Sequence, residues 1–350
     1  MQKSILIKNY KLFKHLEIDN LKRVNLFIGK NNTGKSTLLE AIAGFFFEEQ
    51  FLFFLYNQFY RKEWRRQRDN LEDIVEGLSV LFYDRKIKID KEKVTVFIGS
   101  NEKEGISFYI SDELDENEHM KQPNFIWEYH QNNENKLVRE KWKLEQIMRR
   151  LSFQGGKSLY IKRNCKLVES SLKEHKWEEL AIFWGNIALS DKEDYVIEAL
   201  QIIEPKINRL TFIDTNTNSK KAIVKISGNK EPISLNTMGD GISRILQIIL
   251  NLVHCENGIL LIDEFENGLH WSIQKDLWQI ILKMSEKLNI QVFAATHSRD
   301  TIWALQQVRQ NDEDTAIIKL KHNKKTGMIK SVPFSTDEIN IALEQAIEIR

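Results

Sequence analysis

Val24-Asn25-Leu26-Phe27-Ile28 runs straight into Gly29-Lys30-Asn31-Asn32-Thr33-Gly34-Lys35-Ser36-Thr37, and an apolar-rich segment continues from Thr37 to Phe47. The nearly unbroken apolar run predicts a strand covered on both faces, as in a parallel sheet. The segment behind it suits a buried helix, and the junction fits GxxxxGK[ST] without a mismatch. Glycines at 29 and 34 permit backbone conformations closed to other residues, so successive N–H groups turn inward on an anion. The helix beginning near Lys35 adds its positive end. Lys35 is then a point charge for the β- and γ-phosphates of a nucleotide, and the Ser36 hydroxyl is a ligand for Mg2+. The expected cradle comprises Gly29, Asn31, Asn32, Thr33, Gly34, Lys35, Ser36 and Thr37.

Working outward, a second apolar run, Ile259–Ile262, ends in two carboxylates, Asp263 and Glu264. In a doubly wound sheet the C-terminal strand ends open on the ligand crevice, where the glycine-framed loop also lies. Asp263 is expected to hold Mg2+, directly or through water, and Glu264 to polarise an attacking water as general base. A third run, Val292–Ala295, ends in Thr296-His297-Ser298; a histidine placed there can reach the γ-phosphate or the water and report cleavage.

The rest of the chain frames these motifs. The C-terminal third alternates helix (Ile242–Val253), strand (Ile259–Ile262), helix (Ser272–Leu288) and strand (Gln291–Ala295), which implies parallel pairing with helical crossovers. Ser4–Ile7 and Leu16–Ile18 read as short strands, Val94–Ile98 and Ile106–Ile110 as an antiparallel pair with Phe125–Tyr129 as a third strand. Leu210–Asp214 and Ala222–Ile226 also read as strands. After His297, Ala316–Leu320 and Ile329–Val332 form a strand pair ahead of a helix from Asp337. Between Gln131 and Lys206 the pattern, beginning KLVREKWKLEQIMRRL, is charged and helical, with Pro205 closing the last helix. The expected fold class is α/β, with a mixed, largely parallel sheet, an antiparallel β subdomain and a helical lobe at about 131–206.

Composition closes off several classes. With 42% apolar residues the chain has material for a real core, and 51 basic against 50 acidic residues leave a net charge of +1, unlike a nucleic-acid coat protein. Cys165 and Cys255 have no CxxC or HxxxC neighbours and read as reduced thiols of a cytoplasmic protein. The lysine-rich N-terminus does not read as a signal peptide, and the apolar stretch from Ile42 to Tyr56, broken by Glu48, Glu49 and Gln50, is too short and charged to span a bilayer.

Taken together, the motifs resemble the ABC ATPase superfamily, in the branch shared by SMC-type, RecF-type and OLD-type (overcoming lysogenization defect) ATPases. IKNYKLFKHLEI followed by LFIGKNNTGKSTLLEAI is similar to that branch, as are IDEFENGLH and Ala294-Ala295-Thr296-His297-Ser298. The resemblance covers roughly 1–47 and 196–350 and is weaker between. It implies a single ABC-type ATPase head over 1–350, with lobe I mainly 1–130 and 207–350, that hydrolyses ATP with Mg2+ as a sandwich homodimer. It also places Ser234–Arg244 where the family carries its Leu-Ser-Gly-Gly-Gln signature, Thr237 standing for the serine and Gly239 for the second glycine, both meeting ATP on the opposite protomer. Met238 departs from the pattern at the first glycine, and Arg244 is a further candidate for that phosphate. No NKxD motif is present, since Asn229-Lys230-Glu231-Pro232 lacks the aspartate, so ATP is favoured over GTP.

Two features bear on partners. Phe45–Tyr60 is crowded with aromatic residues and is followed by Arg61, Lys62, Arg65, Arg66 and Arg68 around Trp64. It suits a helix with one buried aromatic face, a protein-docking surface, or a nucleic-acid grip, so DNA remains a candidate ligand. The roughly 50 residues after His297 are too few for the Toprim nuclease-like domain that OLD proteins carry downstream. The resemblance therefore implies a separately encoded effector protein, in an anti-phage defence or toxin–antitoxin-like system. The rivals are a RecF-like DNA repair ATPase and a non-hydrolysing switch that dimerises on ATP.

Overall fold

A computed structural model of the chain describes residues 1–46, 53–54, 71–87, 94–111, 124–131, 136–143, 146, 164–169, 174–215, 219–309, 313–323 and 325–345. In chain order, β1 (Ile5–Tyr10) and β2 (Phe13–Ile18) form a hairpin, and β3 (Val24–Ile28) leads through the glycine loop into α1 (Lys35–Phe46). Next come α2 (Leu71–Ser79), β4 (Val96–Asn101), β5 (Glu104–Ser111), β6 (Asn124–Gln131), β7 (Lys136–Lys143) and β8 (Cys165–Val168). After α3 (Glu174–Ile187) and α4 (Asp191–Leu200), a small meander is made by β9 (Ile207–Asp214), β10 (Lys220–Ile226) and β11 (Ile233–Ser234). The remainder is α5 (Asp240–Val253), β12 (Ile259–Ile262), α6 (Trp271–Lys287), β13 (Gln291–Thr296), α7 (Arg299–Val308), β14 (Thr315–His322), β15 (Ile329–Phe334) and α8 (Thr336–Glu344).

The central sheet has the order β15-β14-β3-β13-β12-β8, parallel throughout except for the β14–β15 hairpin. Its strands alternate between two cores, as the period-two geometry of a strand requires. Val24, Leu26, Leu260, Ile262, Val292 and Ala294 face one core, shared with α3 to α6 and the three-stranded meander. Phe27, Ile259, Leu261, Phe293 and Ala295 face the other, shared with α1 and the antiparallel sheet β2-β1-β4-β5-β6-β7. The unbroken apolar strands follow from this: each has no solvent-facing side. Because α1 fills the gap between two sheets, even its one acid is buried; Glu40 accepts two 3.0 Å bonds from Lys11 Nζ. Breaking a pair of this kind costs about 3–5 kcal/mol, so the hairpin and the helix are locked in register.

Three expectations are corrected. KLVREKWK is not helical: Lys136–Lys143 is β7, paired with β6 along its whole length from Asn124–Lys143 to Gln131–Lys136. A charged segment with fair helix propensity becomes a strand because a neighbouring edge offers a full ladder of hydrogen bonds and Trp142 packs against the core. Helices do occupy Glu174–Ile187 and Asp191–Leu200, but β8, lying within the span assigned to the helical lobe, is an edge strand of the central sheet instead. Helix α4 also ends at Leu200 rather than at Pro205, although tight turns carry the chain on to Glu204.

The aromatic segment is described only in part. Phe45, Phe53 and Phe54 are buried, and the Phe54 ring meets those of Tyr10, Phe108 and Trp127 at 5.5, 5.7 and 6.0 Å. These residues belong to the core, as the buried-face reading expects. The basic run Arg61–Arg68 lies outside the described residues. Among the described residues no helix is long and apolar enough to cross a membrane.

Candidate nucleotide-hydrolysis site

Three parallel strands deliver the site. The ends of β3, β12 and β13 are neighbours in one sheet, so the loops at 29–36, 263–268 and 297–298 open on the same edge. Gly34, at φ +88°, occupies backbone space closed to most side chains, and a Cβ there would stand 2.8 Å from the Phe13 ring. Gly29 is as crowded, its notional Cβ lying 2.7 Å from Thr33 Oγ1 and 2.9 Å from Leu320 O. Asn32 takes φ +62° and is exposed with Asn31, whereas Thr33 is buried and its hydroxyl donates to Lys30 O at 2.9 Å. Thr37 continues the first turn of α1, partly buried. Lys35 Nζ donates across the loop to Gly29 O (2.7 Å) and Lys30 O (2.8 Å).

The acids arrive beside this loop. Ser36 Oγ donates to Asp263 Oδ1 at 3.1 Å. Burial lowers the Lys35 pKa, and the nearby charges of Glu266, Asp263 and Glu264, in that order, work the other way. The arrangement required for a nucleotide site, lysine and paired acids in one place, is therefore present. Its donor set fits Mg2+: two hard oxygens 3.1 Å apart match the roughly 3.0 Å edge of an octahedron with about 2.1 Å metal–oxygen bonds. Among the described residues no group of three His, Cys, Asp or Glu side chains could hold a metal unaided. Mg2+ bound with nucleotide needs only one or two protein ligands besides phosphate and water.

Glu264 sits in an unusual conformation for a physical reason. Asp263 is tied to Ser36 on one side, and on the other Phe265 is fully buried, stacked on Trp278 at 4.1 Å with its N–H on Ala295 O. Between these anchors Glu264 adopts φ +46°, in the left-handed region where a non-glycine residue costs about 1–3 kcal/mol. Strain of this kind collects at functional positions.

His297 is bound by a residue that the sequence reading passed over. Glu266 accepts from His297 Nδ1 and from its backbone N–H, both at 3.0 Å, and from Thr296 Oγ1 at 2.7 Å. One carboxylate thus pins the strand end that carries the histidine to the loop that carries the acids. The available signal was the third acid of IDEFE, two residues past Glu264. Ser298 then caps α7, accepting from the N–H groups of Asp300 and Thr301.

The signature segment is placed differently. Thr237 and Gly239 are exposed at the start of α5, and the Thr237 hydroxyl donates to Ser234 O at 2.7 Å. No hydrogen bond joins either residue to the 29–36 loop of its own chain. The candidacy of Arg244 for a partner's phosphate is corrected: Arg244 is buried, one turn into α5, and its Nη groups donate to this chain's own backbone and to Gln247 Oε1. A guanidinium facing the core cannot reach an opposing nucleotide.

The central sheet, the phosphate loop and the acid-tipped strand make up the fold of a P-loop ATPase head. Residues 1–302 match the model of the AAA ATPase domain family, and the chain belongs to that family. It is 26% identical over 349 residues, 89% of this chain and 90% of the relative, to an "ATP/GTP phosphatase" of Helicobacter pylori. A shorter match, 44% over 45 residues, covers 13% of this chain and 20% of "Uncharacterized protein MJECL10" of Methanocaldococcus jannaschii. Among solved structures it is similar to an SMC head bound to the C-terminal winged-helix domain of ScpA, with a TM-score of 0.51, 13% identity and 99% of each chain covered. At that identity the likeness is one of fold. Family and relative together support nucleotide hydrolysis in general terms.

Proposed function

We propose that this chain is a single ATPase head that binds ATP with Mg2+ at 29–37, hydrolyses it as a sandwich homodimer, and controls a separately encoded effector. The carrying observation is the 3.1 Å contact between Ser36 Oγ and Asp263 Oδ1, which joins the phosphate loop to the acid-tipped strand. Ser36 and Asp263 would hold Mg2+, which when bound offsets phosphate charge. Lys35 exchanges its carbonyl contacts for β- and γ-phosphate oxygens. Glu264 accepts the proton of the attacking water, and His297, which Glu266 holds through Nδ1, is the group that would meet the γ-phosphate. Thr237 and Gly239 lie exposed at a helix start, chemistry suited to a γ-phosphate brought by a second copy.

ATP is preferred over GTP because the NKxD guanine-reading motif is missing. The OLD-type reading, with a Toprim-like nuclease as effector in an anti-phage or toxin–antitoxin-like system in the cytoplasm, rests on the family phrases IDEFENGLH and AATHS. Steady-state phosphate release with ATP and GTP, with and without DNA, tests the assignment. DNA-independent ATP turnover supports it; strong stimulation by DNA with steep salt dependence replaces it by a RecF-like role. Single-turnover binding without release leaves a nucleotide-gated dimerisation switch.

A further inference from the structure

We infer that Arg244 is a positioning residue, its guanidinium locking the Asp263–Glu264 backbone to helix α5, so that Glu264 takes its place for hydrolysis from the helix that Gly239 precedes. The inference rests on the assignment of Glu264 as the base. Arg244 Nη2 donates to Asp263 O at 2.7 Å and to Glu264 O at 3.2 Å, while Nη1 donates to Gln247 Oε1 at 2.9 Å and to Glu169 O. Four acceptors on three segments converge on one fully enclosed group. Glu169 directly follows β8, the strand that flanks β12, so the lock also ties the neighbouring strand end. Burial drops the Arg244 pKa to about 10, which leaves the group charged at neutral pH, with Asp263, Glu264 and Glu266 favouring the charge.

The carbonyls gripped by Arg244 bracket the strained residue. A peptide held at φ +46° relaxes unless its surroundings over-determine it, and the carbonyl clamp supplies that determination from the amino-terminal side of Phe265. A second contact joins the same two elements: Gly268 O lies 3.0 Å from the Cβ position of Gly241, and Gly268 packs against Asp240. The acid loop therefore touches α5 at both its ends, once through Arg244 and once through Gly268. Helix α5 also presents Thr237 and Gly239 at its start, so a shift of this helix is transmitted to Glu264 without any change in the phosphate loop.

The test is a double-mutant cycle of Arg244→Met and Glu264→Gln in the full-length chain, reading kcat, KM and binding of a fluorescent ATP analogue. Arg244→Met is expected to lower kcat about 10- to 100-fold, the scale of a slightly misplaced group, with analogue binding within about twofold of the parent. If Arg244 acts through Glu264, the double variant is no slower than Glu264→Gln alone. Multiplied losses, or loss of nucleotide binding with kcat unchanged, overturn the inference. Near-normal turnover by Glu264→Gln removes the base and the relay together, whereas a slow Glu264→Gln beside a fast Arg244→Met removes the relay only. Should Arg244→Met fail to fold, Arg244→Lys, which keeps the buried charge but not the fork, enters the same cycle with the same criterion of non-additivity.

Discussion

The phosphate loop and the signature segment are both glycine-containing turns at helix starts, yet the chain treats them in opposite ways. The loop is closed on itself: Lys35 bonds two loop carbonyls, Thr33 a third contact, Ser36 an acid from another strand, and both glycines are walled in by side chains. The signature segment is open. Gly239 has nothing within 4 Å of its Cβ position, Thr237 is exposed, and neither bonds to the site. Crowding closes both loop glycines to any side chain, whereas Gly239 answers only to its backbone conformation, φ +95°, and the space around it is open. The phosphate loop is thus enclosed within the chain, while the 237–239 segment faces outward.

The largest effect expected from this contrast is on the closed side. Lys35→Ala removes the cation that bonds the loop carbonyls of Gly29 and Lys30, and ATP affinity should fall roughly 100-fold or more, the scale of lost charge-assisted contacts. Equilibrium titration with a fluorescent ATP analogue reads this directly, and tight binding by the variant would refute the loop assignment. Glu264→Gln should keep that affinity while turnover drops roughly 100-fold or worse, as for a lost general base. The same variant should accumulate as an ATP-dependent dimer on size-exclusion chromatography; a persistent monomer counts against the sandwich.

Thr237→Ala probes the open side. If the segment completes a site on a second copy, turnover should fall about tenfold and the ATP-dependent dimer of Glu264→Gln should weaken, while analogue binding at low protein concentration stays unchanged, as expected for one lost hydrogen bond to a charged group. An unaltered rate at every protein concentration would mean that hydrolysis is completed within one chain.

How much of this was legible in the sequence follows the same division. The runs Val24–Ile28, Ile259–Ile262 and Gln291–Ala295 were readable because strands with two buried faces are mostly apolar, and the loop because its glycines and lysine have fixed tasks. KLVREKWK was misread because its charges describe an exposed surface and say nothing of the edge of β6 that recruits it. Arg244 was drawn outward for a related reason: an arginine near a helix start is normally a surface group, and only the packing of β8 and β12 around α5 shows it enclosed. Glu266 lacked a motif of its own. Its role depends on β13 lying beside β12, a pairing that spacing alone does not reveal.

Glu266 also supplies the smallest and most informative effect. Replacing it by glutamine keeps one carbonyl oxygen, the atom on which both His297 donors converge, but removes the charge and the second oxygen used by Thr296. The exchange of charged for neutral hydrogen bonds at this scale corresponds to about 0.5–1.5 kcal/mol, hence about a 3- to 10-fold fall in kcat with nucleotide affinity retained. Glu266→Ala should fall further, because the histidine then loses both oxygens of this carboxylate. His297→Ala combined with Glu266→Gln completes the comparison: if the carboxylate works through the histidine, the double variant is no slower than His297→Ala. If instead the losses multiply, Glu266 acts on the nucleotide site directly, through the charge it already places near Lys35.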